Sequence, residues 1–427
     1  MKLVVLALLF PTLAFAADFP APSALPLAPN LPDPLVARDG TPIKTREQWE
    51  TLRRPELLAL FEHYMYGRRP AKPAEVHARL RFEDPAALDG AARLREFDVD
   101  LGLARPARLL VVTPNGKSAP APCFLGLNFG GNHRLLPHPG IAVPPSWEAP
   151  KPNDQAPREE DRGKDTNVWN IAQSIQRGYA VASFFQADVV PDDPAGAEPV
   201  LRRLSGGQGP ERGPADTATL MAWAWGFSRM LDVLETLPEI DAKRVAAVGH
   251  SRNGKTALLA AAFDERFALV IPSQAGCGGS APSRVSPELA KPNANGRPTV
   301  ETVAMINKGF PHWFAGNFKK FNDEPARLPF DQHCLIALCA PRPVLLSCAT
   351  EDLWSNPAGQ FNLLRAADPV YRLVAGDGLG APEKPAVGQL LSSRLGYFIR
   401  EGRHSMNAVD WAAWLDYADI WLRAKPH

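Results

Sequence analysis

Beyond its first residues, the chain has no apolar run long enough to span a bilayer, so a membrane-embedded protein is not expected. It has no charge excess either. Lysine and arginine number 47 and aspartate and glutamate 46, for a net charge of +1. That balance gives no reason to expect nucleic acid or an anionic membrane as a partner. Cysteine is scarce: Cys123, Cys277, Cys334, Cys339 and Cys348 are the five. None has the C-x-x-C spacing of a metal site, and no metal or cofactor is implied. An odd number leaves at least one thiol even where disulfides are permitted. Cys123 and Cys348 sit in apolar runs that suit a buried free cysteine, while Cys277 lies in a glycine-rich loop. Internal repeats and low-complexity tracts are also missing, so a propeller or solenoid is excluded.

What is present starts with a targeting pattern. Lys2, the apolar stretch Leu3–Phe10 and the small-residue site Ala14-Phe15-Ala16 read as a signal peptide over 1–16, and so as export to the periplasm or the medium. Roughly 410 residues follow, enough for one large or two ordinary domains. Hydrophobic residues make up 45%, ample for a large core. Prolines are many, 44, concentrated in Pro20–Pro34, Pro137–Pro157 and Pro191–Pro199, which read as extended surface segments.

Residues 17–43 look like an irregular arm. Arg46–Tyr66 has helical spacing, and Val76–Phe82, Leu94–Leu103 and Arg108–Thr113 look like strands. From Cys123 the pattern becomes alternating strand and helix, which marks a mostly parallel twisted sheet with helices on both faces. Strands are expected at Phe124–Asn132, Tyr179–Phe184, Arg244–Val248, Ala268–Ser273, Pro343–Cys348 and Leu395–Arg400. Helices are expected at Ile171–Arg177, Thr217–Leu237 and Asp410–Leu422. The expectation is one α/β domain over 17–427, with insertions near 133–166 and 276–328.

The stretch Gly249-His-Ser-Arg-Asn-Gly-Lys255 joins the Arg244–Val248 strand to a helix of strong formers, Thr256–Phe263. A strand turning sharply into a helix with a serine at the apex is the nucleophile elbow of the α/β-hydrolase fold. The spacing here is G-x-S-x-x-G, with the second glycine one residue late. A serine hydroxyl needs a base, and the base needs a third group to hold it. In this fold the order is serine, acid, histidine. His404, after the last strand, is in place for the base. Glu351 and Asp352, after the penultimate strand, supply the acid, and only one can point inward from an extended segment. His250 is expected to pack beneath the elbow, and His63, His312 and His333 to be structural.

The oxyanion needs preorganised donors. Candidates are the backbone N–H of Arg252, its guanidinium, and the Gly130-Gly131 pair after the Phe124 strand. The guanidinium could instead be tied into a salt bridge on the elbow helix, and the glycines could be only a tight turn. Lys255, one turn beyond Ser251, could donate to a polar substrate or simply be solvated.

The run Gly249–Lys255 resembles the G-x-S-R-x-G-K signature of glucuronoyl esterases. The resemblance continues through Ile271-Pro-Ser-Gln-Ala-Gly-Cys-Gly-Gly279, Phe310-Pro-His-Trp-Phe314, Leu328-Pro-Phe-Asp-Gln-His333, Ala340-Pro-Arg-Pro343, Glu351-Asp-Leu-Trp354 and Gly402-Arg-His404. It implies Ser251 as nucleophile, His404 as base, Arg252 as oxyanion donor, and Lys255, Glu301 and Trp354 as sugar-binding residues. Fungal members carry their acid in the loop matching Ile271–Gly276, where this chain has Gln274, and an amide cannot serve. The role then passes to Asp352, two residues before Trp354, with Glu351 as the alternative. The implied substrate is the ester between 4-O-methyl-glucuronic acid on xylan and a lignin alcohol, and a monomer is expected. An acetyl-xylan or general carboxylesterase is the alternative within the fold. A non-catalytic carbohydrate-binding homologue is the alternative outside it.

Overall fold

Nine strands join one sheet among the described residues of this computed structural model, which are 19–145, 157–206, 211–292, 296 and 298–423. They are β1 (His77–Ala87), β2 (Ala92–Asp100), β3 (Ala107–Pro114), β4 (Ala121–Asn128), β5 (Ala180–Phe185), β6 (Ile240–His250), β7 (Leu269–Ser273), β8 (Val344–Ala349) and β9 (Leu395–Arg400). Their order across the sheet is β1-β2-β3-β5-β4-β6-β7-β8-β9. β1, β2, β3 and β5 pair antiparallel, and every pair from β5 onward is parallel. The expected export segment lies outside the described residues, as does part of the 133–166 stretch.

Burial explains the two halves of the sheet. β4, β5, β7, β8 and β9 are buried along their whole length, as a parallel strand covered on both faces must be. β1 is mostly exposed, consistent with an antiparallel edge. The helices that cover the sheet and shape the site are α1 (Thr219–Leu234), α2 (Arg252–Phe263), α3 (Pro357–Ala375) and α4 (Ala408–Trp421). One apolar layer holds Trp223, Phe227 and Met230 of α1, and the other holds Trp411 and Trp414 of α4. Each large apolar side chain buried there contributes about 1.5–3 kcal/mol. All five cysteines are buried with free thiols. No helix among the described residues is long and apolar enough to cross a membrane.

Two expectations need correction. Pro191–Pro199 is not wholly extended, because Pro194–Leu204 is a helix. Pro194 occupies a first-turn position that has no use for an N–H, and Asp193 caps it by accepting from Gly196 N at 2.8 Å. Helix α3 was not foreseen; it carries Pro369 internally and begins from Asn356, which is in the left-handed region at φ 56°.

Candidate active site

The elbow comes first because it fixes everything else. β6 feeds α2 with Ser251 alone between them. Ser251 is held at φ 58°, ψ −127°, a conformation that a residue with a Cβ rarely adopts and that surrounding contacts must impose. Its N–H donates to Ser273 O at 2.9 Å, and its carbonyl accepts from Lys255 N at 3.0 Å. A Cβ at position 249 would lie 2.1 Å from Asn253 O, so only glycine fits. A Cβ at 254 would lie 2.8 Å from Ser273 O and 2.9 Å from Gly249 O. The close crossing of helix over strand thus falls at residue 254, which accounts for the late second glycine. Asn253 is buried and donates to Leu127 O at 3.2 Å. The Arg252 N–H lies in the first turn of α2, where backbone donors have no intrahelical acceptor.

His404 and Asp352 meet across two strand-end loops, with Nδ1 and Oδ2 2.7 Å apart. Asp352 is 5% exposed, and burial alone would push its carboxyl up. The hydrogen bond and charge of His404, with help from Ser355, outweigh burial and leave it below its usual range. Glu351 is exposed and faces Arg403, Oε2 to Nε at 3.4 Å. Of the two adjacent carboxylates, only Asp352 therefore reaches the histidine. The loop carrying His404 is clamped from below. Gln274 donates through Nε2 to Ser405 O at 2.7 Å and accepts from Ser405 N through Oε1 at 3.1 Å. Arg400, buried and paired with Asp410 at 2.8 Å, donates to the same Ser405 carbonyl at 2.7 Å. His250 packs against His404 with ring centroids 4.5 Å apart. Burial, then the neighbouring His404 charge, push His250 down to about 3.

The guanidinium of Arg252 does not pair within its own helix. Nη1 donates to Asp192, which follows β5. Asp192 also accepts from His312 Nε2 at 3.0 Å, Trp313 Nε1 at 2.7 Å and Gln186 Nε2 at 3.2 Å. Burial works against this carboxylate, but His312, Arg252 and Trp313 together hold it down to about 2. The guanidinium carbon lies 4.8 Å from the Trp313 ring centre, 5.3 Å from Phe310 and 5.8 Å from Phe129, so the cation is also held by aromatic faces. Its Nε–H has no hydrogen-bond partner among the described residues. Gly131 N–H is already spent on Asn128 Oδ1 at 2.8 Å, which makes the glycine pair a tight turn there.

Lys255 is buried, not solvated. Its ammonium donates to Ala275 O and Cys277 O, both at 2.6 Å, and lies 3.8 Å from the Glu301 carboxylate. Burial pushes the lysine down and the glutamate up, and each partly restrains the other. The glycine-rich loop wraps the lysine stem: a Cβ at 279 would meet Lys255 Cγ at 2.7 Å. Glu301 N–H donates to Trp354 O at 3.1 Å, and the Trp354 ring is 39% exposed. Lys255, Glu301 and Trp354 thus form one polar corner with an aromatic edge. The sequence did not reveal Asp192, the grip of His312 and Trp313 on it, or the clamp made by Gln274. The only sign was that the Phe310–Phe314 run and Gln274 fell in resembling segments.

A profile of the family described as "Glucuronyl esterase, fungi" matches residues 212–375. The carbohydrate esterase MZ0003 of an unknown prokaryotic organism is 40% identical over 402 residues, covering 91% of this chain and 89% of that protein. This chain belongs to the glucuronoyl esterases, carbohydrate esterase family 15. A solved glucuronoyl esterase from Solibacter usitatus superposes with a TM-score of 0.84 at 32% identity, over 94% of this chain and 100% of that one. A promiscuous esterase of the same family, from a marine bacterial metagenome, gives 0.82 at 38% identity, over 94% and 98%. The glucuronoyl esterase fold is the α/β-hydrolase fold, as the sheet order here already indicated. Like its relatives, this family member is a carboxylic ester hydrolase.

Proposed function

We propose that this glucuronoyl esterase cleaves the ester between 4-O-methyl-glucuronic acid on xylan and a lignin alcohol, using Ser251, His404 and Asp352. The observation that carries this is the 2.7 Å His404–Asp352 hydrogen bond, placed behind a strained elbow serine. With Nδ1–H donated to Asp352, His404 Nε2 is the free base. It takes the Ser251 proton as Oγ attacks the C6 carbonyl. The tetrahedral oxyanion is received by the Arg252 backbone N–H and guanidinium. His404 then gives its proton to the departing alcohol. Water, deprotonated by the same histidine, releases glucuronate and restores the serine.

Lys255, Glu301 and Trp354 hold the sugar on this reading, so discrimination belongs to the acid half. We infer that the enzyme works outside the cytoplasm as a monomer, the first from the Met1–Ala16 pattern. The test compares kcat/KM for benzyl glucuronate, benzyl galacturonate and an aryl acetate. A preference for the glucuronate ester of at least about tenfold over the galacturonate is expected, since one misplaced hydroxyl leaves buried polar groups unpaired. Equal rates on all three would replace this reading with a general carboxylesterase. A Ser251→Ala variant that still hydrolyses benzyl glucuronate would remove the triad.

A further inference from the structure

The polar corner is itself held by buried polar side chains. Gln360, in the first turns of α3, is fully buried. Its Oε1 accepts from Ser280 Oγ at 2.6 Å, and its Nε2 donates to Ser355 O at 2.8 Å. The amide can sit only one way round. A carbonyl oxygen only accepts, so the nitrogen must face Ser355 and the oxygen must face the Ser280 hydroxyl. A buried amide with both ends bound specifies one arrangement of the backbone it holds.

Ser280 closes the glycine-rich loop. Its N–H donates to Gly276 O at 3.1 Å, as do those of Gly279 and Ala281 at 3.0 Å. Tyr66 OH donates to Gly278 O at 3.1 Å and Gln332 Nε2 to Gly279 O at 2.9 Å, which leaves the Ser280 end to Gln360. This is the loop whose Ala275 and Cys277 carbonyls take two of the three N–H groups of Lys255. The direction of the third is therefore set by where the loop stands. Ser355 belongs to the loop after β8. Its N–H and its Oγ both donate to Asp352 O, at 3.2 and 3.0 Å, and Trp354 beside it accepts from the Glu301 N–H. The two loops touch at Gly276, where a Cβ would lie 3.3 Å from Ser355 Cα and 3.7 Å from Lys255 Nζ. Gln360 bonds to both.

We propose that Gln360 is a positioning residue for the reaction. It ties the loop that aims Lys255 to the loop that carries Asp352 and Trp354. Grip on the acid half of the ester and orientation of the base then depend on one amide, given the reading of the polar corner as the sugar site.

The test compares the full-length parent with two variants. Gln360→Met keeps the volume and removes both bonds, while Ser280→Ala removes only the bond to the Lys255 loop. Kinetics are measured on benzyl glucuronate and on an aryl acetate, which has no sugar for Lys255 to hold. Ser280→Ala should raise KM for benzyl glucuronate about fivefold and leave its kcat, and kcat/KM for the acetate, within about twofold of the parent, since only the sugar end is loosened. Gln360→Met should raise KM as much, lower kcat about tenfold and lower kcat/KM for the acetate by about the same factor, because the acid loop is loosened too. The double variant should match Gln360→Met, since the hydroxyl has already lost its partner. An unchanged KM in Ser280→Ala overturns the proposal, and that variant decides the matter if Gln360→Met fails to fold. A Gln360→Met enzyme that loses the same factor on both esters with KM unchanged also overturns it, leaving the amide a part of the fold alone. A parent with no preference for the glucuronate ester overturns the sugar site itself, and the role of Gln360 with it.

Discussion

Glu351 and Asp352 are neighbours with opposite surroundings: one exposed beside Arg403, the other buried against His404. Asp352→Asn should lower kcat roughly 10³–10⁴-fold on benzyl glucuronate, since an amide stabilises the wrong imidazole tautomer and leaves the imidazolium unpaired. Glu351→Gln should change kcat by less than about twofold, as an exposed pair contributes little. Equal losses in steady-state kinetics would reassign the acid. Asp192 has a different task, to hold the Arg252 guanidinium in one place. Asp192→Asn should lower kcat about 10²-fold with KM nearly unchanged, and adding Arg252→Ala should cost little more, because both changes disable the same donor. The Asp192 carboxyl sits at about 2 instead of the ordinary 3.8. Its stabilisation is therefore complete above about pH 4 and is lost as pH falls towards 2, a contribution of about 2 kcal/mol. Melting temperatures of parent and Asp192→Asn should differ at pH 7 and converge near pH 2.

At the scale of elements, the loop after β9 places the histidine, and it is held by a residue of the loop after β7. Gln274 sits in the left-handed region at φ 49° and grips the Ser405 backbone with both ends of its amide. Gln274→Ala should free that loop and lower kcat about tenfold while KM is retained, because the His404 loop loses its clamp and the corner of Lys255, Glu301 and Trp354 is not touched. A matching rise in KM would place the effect in substrate binding instead. The elbow shows how a local pattern can be read correctly before its reason is known. The late glycine is legible as an oddity in the sequence, yet its cause is the carbonyl of Ser273 on the next strand.

At the scale of the molecule, the parallel half of the sheet was legible because each strand carries a short apolar run buried on both faces, in β6 the stretch Val245–Gly249. The helix at Pro194–Leu204 was not, because proline marks a helix start and a helix break with the same letter; only the Asp193 cap separates them. The place of His404 behind the elbow, and of a carboxylate beside it, could be read from chain order. Asp192 could not. Its partners Arg252 and His312 lie 60 and 120 residues away, and no periodicity spans such distances. The polar corner was half legible: Lys255 is one turn from Ser251, whereas its burial under the Gly276–Gly279 loop depends on tertiary folding.

The two cations nearest Ser251 each have a carboxylate of their own: Arg252 has Asp192 and Lys255 has Glu301, while the base His404 is hydrogen-bonded to Asp352. Neither cation of the chamber is therefore left unpaired. An uncharged ester enters without any long-range attraction to guide it, and kcat/KM should change less than about twofold between 20 and 500 mM sodium chloride, since a neutral substrate leaves little for salt to screen. A strong salt dependence in initial rates would contradict this balance. Hydrolysis turns a neutral ester into an anion, and a chamber with unpaired cations would hold that anion back. Here each positive group is already satisfied, so the acid is free to leave, and the same pairing that orders the catalytic groups also clears the site for the next ester.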